Sequence, residues 1–150
     1  MQVRVHKIDR EFEEQVVIEC HEVRTEIADI VTYIKSKGNT LPVYEEDKEY
    51  KVPVQDIYYL ESVDNRVYVY LKKNVYELKM KLYEFEELYG RYEFIRCSKS
   101  VIVNLLKIDH LKPALNSRFT ARLINGEEVI ISRQYASSFR KKIKKAGSAS

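Results

Sequence analysis

Tryptophan is absent from this chain of 150 residues, glycine occurs four times, proline three times and cysteine twice. So few glycines leave no phosphate cradle, and neither G-x-x-x-x-G-K-S/T nor G-x-G-x-x-G occurs, which disfavours nucleotide hydrolysis. Cys20 and Cys97 are too few for a disulfide framework and have no partner at metal-ligand spacing, so both are expected as reduced thiols and redox chemistry is not expected. His6, His21 and His110 stand far apart, without a Cys, Asp or Glu at a spacing that a helix or hairpin turns into a metal site, and no metal or cofactor is expected. Ser98 and Ser100 lack a neighbouring His to act as base, and Glu86-Glu87 and Glu127-Glu128 fall on solvent-facing positions. The sequence is therefore not that of an enzyme. No apolar run approaches the roughly 20 residues of a membrane-spanning helix, and Met1 to His6 lacks the layout of a signal peptide. A soluble, cytoplasmic protein is expected.

What the chain does have is charge, unevenly placed. Charged residues make up 33% and hydrophobic ones 45%, the composition of one compact domain or of a domain with a small extension. Residues 1–50 carry 7 Lys/Arg against 12 Asp/Glu, whereas residues 51–150 carry 19 against 11. From Arg91 onward the balance is 13 basic to 4 acidic. A surface so charged attracts a polyanion or an acidic partner, which makes nucleic acid the leading ligand class.

Periodicity predicts mostly strands. Val3 and Val5 alternate within Gln2–Ile8, and Val16, Ile18 and Cys20 share one face of Glu14–Val23, so both segments are expected as strands. Thr25 offers an N-cap to a helix whose Ile27, Ile30, Val31 and Ile34 fall at i, i+3, i+4 and i+7, with Gly38 as its stop. With a further strand at Leu41–Glu45, residues 1–45 read as a small acidic α+β extension, too small to be stable alone. The polar run Glu45–Glu49 is expected as the boundary. Strands then follow at Tyr50–Val52, Ile57–Glu61, Val67–Leu71 and Val75–Met80, with a turn at Asp64-Asn65. Leu82, Phe85, Leu88 and Tyr89 keep helical spacing up to Gly90. Phe94–Arg96 and Val101–Val103 flank the polar Ser98-Lys99-Ser100, and Lys107–Leu111 reads as a turn or short helix before Pro113. Phe119–Leu123 and the strand through Val129 and Ile131 form a hairpin around Asn125-Gly126, where a type I′ turn is expected. Ser132 is placed to cap a last helix with Tyr135, Phe139 and Ile143 inward and Arg140, Lys141, Lys142, Lys144 and Lys145 mostly outward. Residues 146–150 are expected as a frayed tail.

Several of these segments carry a further pattern, in order. Val54-Gln55-Asp56-Ile57-Tyr58-Tyr59-Leu60-Glu61-Ser62 resembles the opening "D-I-x-Y-x-E-S" strand of the LytTR DNA-binding domain, and Val67–Leu71 resembles its next strand. Phe94-Ile95-Arg96-Cys97-Ser98-Lys99-Ser100-Val101-Ile102-Val103-Asn104 is similar to the family's "F-x-R-x-H-R/K-S-x-x-V-N" signature, followed by Leu106-Lys107-Ile108. Asn125-Gly126 and Ile131-Ser132-Arg133 resemble its "N-G … V-S-R" ending. The likeness covers residues 51–143. Ser98 departs from the common His, and Gln134 stands where a second Arg is frequent.

The resemblance implies a mainly β fold with minor helices, an elongated arrangement of three small antiparallel sheets spanning residues 51–145, and no helix-turn-helix. It further implies a bacterial transcriptional regulator whose strand-end loops enter successive major grooves of a direct-repeat DNA site. Carried over onto this sequence, the base-reading residues are Asn65 and Arg66, Ser98 and Lys99, and Arg133 and Gln134. Their chemistry agrees: Arg and Lys donate to guanine O6 and N7, and Asn and Gln bond both ways to adenine. Phosphate contacts are expected from Ser100, Asn104, Arg118, Arg122, Ser132, Arg140 and Lys141, supplying salt-sensitive affinity. Arg96 lies within a strand and is open to a structural ion-pair role instead.

In longer regulators of this kind a receiver domain precedes the LytTR region. Residues 1–45 are too short for one, and Asp9 and Asp29 read as ordinary surface acids. Dimerisation, or contact with a membrane-protein regulator through the Ile27–Ile34 helix face, is the role expected of the extension. Two other readings stay open. Tyr58, Tyr59, Tyr68, Tyr70 and Tyr76 on strands would stack on bases of RNA or single-stranded DNA if exposed, and the basic surface would equally dock an acidic protein.

Overall fold

The computed structural model describes residues 1–36, 39–90 and 93–147. Residues 1–23 form neither helix nor strand. The strands expected at Gln2–Ile8 and Glu14–Val23 are thus not made within the chain; a strand needs a neighbour for its backbone groups, and nothing in the fold lies alongside these. One turn, closed by the Phe12 amide on the Asp9 carbonyl at 3.1 Å, interrupts the segment. Helix α1 (Thr25–Ser36) follows as expected. Ile27 is buried and Ile30 and Val31 half-buried, while Ile34 is exposed, so only the first turns of the apolar face are covered. The stop expected at Gly38 lies outside the described residues.

Strands β1 (Thr40–Glu45) and β2 (Lys48–Pro53) pair from Thr40↔Pro53 to Glu45↔Lys48. Glu45–Glu49, expected as a domain boundary, is therefore a hairpin turn, with Glu46 at φ 54°. A 3-10 turn at Val54–Asp56 leads to β3 (Tyr59–Val63), β4 (Arg66–Tyr70) and β5 (Val75–Leu78). Strand β1 touches β5 at Tyr44↔Glu77, which ties residues 40–45 to the main sheet. Helix α2 (Leu82–Tyr89) starts where the Glu84 carboxylate accepts the Lys81 amide at 3.2 Å. It ends at Gly90, where a Cβ would stand 2.4 Å from the Glu86 carbonyl oxygen. Strands β6 (Phe94–Arg96) and β7 (Val101–Asn104) complete a seven-stranded antiparallel sheet in the order β2-β1-β5-β4-β3-β7-β6.

A second sheet, β10-β9-β8, holds β8 (Ile108–Pro113), β9 (Phe119–Leu123) and β10 (Glu128–Ile131), and α3 (Arg133–Gly147) closes the chain. The fold is mainly β with minor helices, as expected, but in two sheets rather than three. Strand β3 pairs with β4 on one side and β7 on the other, fusing what would be separate sheets. The turn or short helix expected at Lys107–Leu111 is instead a 3-10 turn at Leu105–Lys107 running into β8. Pro113 is tolerated because β8 is an edge strand. Helix α3 carries on to Gly147, past the expected start of the tail, and residues 148–150 lie outside the described ones. None of the described helices is long and apolar enough to cross a membrane.

The type I′ turn sits elsewhere than expected. Asp64 and Asn65, at φ 50° and 64°, both take the left-handed conformation between Val63 and Arg66. At Asn125-Gly126 only the glycine does, at φ 92°, and the Leu123 carbonyl accepts the Gly126 amide at 2.9 Å. That is a tight turn followed by a glycine bulge.

Alternate residues of the large sheet feed two cores. Leu60, Val67, Val69, Phe94 and Ile102 pack with Leu82 and Phe85 of α2. Tyr58, Ile95, Cys97 and Val103 face the other way, onto Ala121, Leu123, Val129 and Ile131 of the small sheet and Ala136 and Phe139 of α3. Asn104, at the end of β7, is 1% exposed. Its amide nitrogen donates to the Ile57 and Gln55 carbonyls at 2.9 and 3.4 Å, and its side-chain oxygen accepts the Leu106 amide at 3.0 Å. The phosphate role expected of it is corrected: this side chain holds three backbone groups in the interior and ties residues 55–57 to residues 104–106. Asn104→Ala strands those groups and should lower stability by about 2–4 kcal/mol, read as a reduced urea midpoint with unchanged slope.

Candidate nucleic-acid interface

Two hydrogen bonds bring three distant loops to one end of the molecule. The Ser62 amide donates to the Ser100 carbonyl at 2.8 Å, setting the β3–β4 turn beside the loop between β6 and β7. The Ser132 amide donates to the Cys97 carbonyl at 2.8 Å, setting the start of α3 on the other side of that loop. The turn that carries Asn65 and Arg66 is thereby bonded to the loop that carries Ser98 and Lys99, and that loop to the start of the helix that carries Arg133 and Gln134. All of these are exposed except Ser98, which is half-buried. The six residues expected to read bases thus stand on three joined segments.

Their surroundings differ. Asn65 stands at the tip of the type I′ turn, while the Arg66 guanidinium approaches Glu77 at 3.9 Å. The Ser98 hydroxyl accepts the Ser100 amide at 3.3 Å, which shapes the loop and leaves the Lys99 side chain outward. Arg96 is the loop's anchor. Its guanidinium is paired with the Glu86 carboxylate of α2, with Nε at 2.8 Å, and donates through Nη1 to the Lys99 carbonyl at 2.6 Å. The ion-pair role left open for it is the one it fills. Below the same loop Cys97 is fully buried, with its thiol 3.5 Å from the Val101 carbonyl, and burial pushes that thiol up to about 12.

The phosphate candidates divide. Arg118, exposed in the β8–β9 loop, lies at this same end, since Phe119 is opposite Ile131, one residue before Ser132. Ser132, Arg140 and Lys141 are also here, and Ser100 is half-buried in the loop itself. An open groove between α3 and the β8–β9 loop is lined by Arg133, Arg140, Lys141, Ser117, Ser137 and Phe119. Arg140 lies 4.3 Å over the Phe119 ring, which fixes its aim. Arg122 is elsewhere: it is bonded to Glu128 at 3.2 Å, toward the Asn125-Gly126 turn, and that turn docks at the opposite end through Asn125 to the Lys72 carbonyl at 3.3 Å. Lys142, expected outward, turns in to the Gly90 and Phe94 carbonyls at 3.2 and 3.0 Å. Ser117, Ser137 and Phe119 were missed by sequence reasoning. The i, i+4, i+8 spacing of Arg133, Ser137 and Lys141 was the available signal for Ser137.

Residues 47–144 match the family model of the LytTr DNA-binding domain. The solved LytTr DNA-binding domain of a putative methyl-accepting/DNA response regulator from Bacillus cereus superposes with a TM-score of 0.67 at 36% identity, covering 69% of this chain and 95% of that one. The transcriptional regulatory protein YpdB of Escherichia coli is 30% identical over 108 residues, 71% of this chain and 44% of YpdB. The sensory transduction protein LytT of Enterococcus faecalis is 29% identical over 107 residues, again 44% of its length. This chain thus spans under half of those two relatives. An uncharacterised HTH-type transcriptional regulator of Staphylococcus aureus aligns over 136 residues at 25% identity, covering 89% of this chain and 92% of the other. The chain belongs to the LytTR DNA-binding domain family, which is a family of DNA-binding domains and not a known enzyme class.

The two thiols should behave differently. At pH 8, exposed Cys20 reacts with a thiol reagent, whereas Cys97 is neither reached nor ionised, its titration being displaced far to the alkaline side. One thiol per chain is expected in native buffer and two in denaturant; two fast native thiols would contradict the packing of the loop.

Proposed function

We propose that this chain is a sequence-specific double-stranded DNA-binding transcriptional regulator, reading direct-repeat promoter sites through strand-end loops in the major groove. One observation carries the reading: the three separate stretches of sequence that hold Asn65 and Arg66, Ser98 and Lys99, and Arg133 and Gln134 are joined at one end of the fold by the Ser62–Ser100 and Ser132–Cys97 hydrogen bonds. Side chains with paired donors and acceptors, held on short loops over a packed base, suit base edges in a groove about 12 Å wide. Arg118, Arg140 and Lys141, with Ser100 and Ser132, flank them and serve the phosphates, fixing orientation and making affinity salt-dependent. The regulator acts in the bacterial cytoplasm, where promoter DNA lies, and as a homodimer on repeated sites. The N-terminal extension, including the part-covered face of α1, serves assembly or contact with a membrane-protein regulator.

The single-strand reading loses its motive. Tyr58 is buried, Tyr59 and Tyr70 stack on each other at 4.2 Å, and Tyr76 packs on Tyr50 at 5.2 Å, so four of the five rings are occupied within the protein, and the fifth, Tyr68, is half-buried on β4.

The test is binding to duplex DNA from the protein's own promoter region against a scrambled duplex, in a salt series. A preference that survives moderate salt is expected; equal, salt-sensitive binding to both overturns sequence reading, and failure to bind either at low salt moves the basic surface to an acidic protein partner. Lys99→Ala should weaken the promoter complex by roughly tenfold or more and leave the scrambled one nearly unchanged. Equal losses would make Lys99 a phosphate contact.

A further inference from the structure

The first 23 residues pose a problem that the rest of the fold does not. Val3, Val5, Ile8, Phe12, Val16, Val17 and Val23 are all at least half exposed, from 50% at Ile8 to 89% at Val5; Val3 with Val5, and Val16 with Ile18, keep the period of two of a strand face. The obvious partner for residues 2–8 is residues 13–20 of the same chain, folded back at the Asp9–Phe12 turn. That turn is of the wrong kind. Neither Arg10 nor Glu11 has a positive φ, so the turn lacks the left-handed central residues whose twist matches a two-residue hairpin, and its arms splay.

The two arms are nevertheless complementary. Residues 1–10 carry Arg4, Lys7 and Arg10 with one acid, Asp9; residues 11–23 carry five acids, Glu11, Glu13, Glu14, Glu19 and Glu22, and no Lys or Arg. Laid antiparallel in the register that Asp9 and Phe12 define, Val3 falls opposite Ile18, Val5 opposite Val16 and Lys7 opposite Glu14. Two apolar pairs, Val3 with Ile18 and Val5 with Val16, thus share one face with the opposite charges of Lys7 and Glu14.

We propose that this pairing is made between two copies of the chain, each supplying residues 2–8 to residues 13–20 of the other. An antiparallel exchange of identical arms is isologous and closes on itself as a dimer. It lays Val3 and Val5 of one copy against Ile18 and Val16 of the other, and it satisfies backbone groups without requiring the Arg10-Glu11 turn to change hand. The proposal deepens the homodimer reading above by naming the surface and the register.

Charge reversal in separate chains tests it. In the full-length protein, Lys7→Glu alone sets a new carboxylate of one copy against Glu14 of the other, twice per dimer, and Glu14→Lys alone sets a new ammonium against Lys7. Each variant should dimerise roughly tenfold more weakly than the parent by sedimentation equilibrium. Mixing the two variants restores opposite charges across one of the two arm pairs and leaves the other pair merely reversed in sign, so the mixture should return to within about twofold of the parent. Rescue by mixing is possible only for pairing between chains. A dimer unaffected by either reversal overturns the arm exchange while leaving dimerisation through another surface, and a parent that sediments as a monomer overturns both. Variants that weaken without rescue on mixing overturn it in favour of pairing within the chain. Binding of each variant to a duplex carrying one recognition repeat should equal that of the parent, so loss of DNA reading and loss of arm exchange register separately.

Discussion

The pairing of β7 with β3 is the contact on which the rest of the molecule depends. Three residue pairs, from Tyr59↔Val103 to Glu61↔Val101, join the N-terminal strands to the signature segment around residues 94–104. Because neighbouring residues of a strand face opposite sides, this register sends Ile102 to the α2 core and Val103 to the small-sheet core. A slip of one residue would exchange them and bury the wrong side chains in both. The same register carries through to the loop end, where the Ser62 amide finds the Ser100 carbonyl. Core packing and loop placement are thus set by one alignment of two strands.

On that alignment the loop between β6 and β7 is built from the inside outward. Cys97 fills the base of the loop, Arg96 reaches back to Glu86 and forward to the Lys99 carbonyl, and only then does the Lys99 side chain leave the protein. An exposed lysine on an unbraced loop would lose much of its contact energy to ordering. Here the backbone beneath it is tied to helix α2 through a guanidinium whose side chain is only 18% exposed, so the ordering is done in folding.

Much of this was legible in the sequence, and the failures share a cause. Val67 and Val69 against Tyr68 and Tyr70, the α2 stripe, and Tyr135, Phe139 and Ile143 on α3 each declare their buried face by spacing alone, because the partner surface is local or large. The six positions expected to read bases came from motif likeness, and no spacing rule would have joined residue 65 to residue 133; that requires the hydrogen bonds from Ser62 and Ser132. Asn104 was misjudged because an Asn in a signature looks the same from sequence whether it faces phosphate or holds three backbone groups in the interior. Arg122 and Lys142 were misjudged because a cation's partner, Glu128 or the Gly90 and Phe94 carbonyls, is fixed by tertiary packing. The N-terminal strands were expected from a period that is real but has no neighbour in a single chain.

Lys142 shows how helix α3 serves two different surroundings. Its ammonium sits at the C-terminal end of α2, on the Gly90 carbonyl, where the helix dipole favours a cation. Close by, burial and then the Asp29 carboxylate of α1 push the Glu93 carboxyl up from its ordinary range, while Lys142 pulls it down. An acid from α1 and one from the strand entry therefore gather around a cation that α3 turns inward. Helix α1 packs against α3, and Arg133, Arg140 and Lys141 stay on the open groove beside the β8–β9 loop. Helix α3 thus presents two different sides: inward, Lys142 faces the Glu93 carboxyl near Asp29, and outward, Arg133, Arg140 and Lys141 keep their positive charge on the groove.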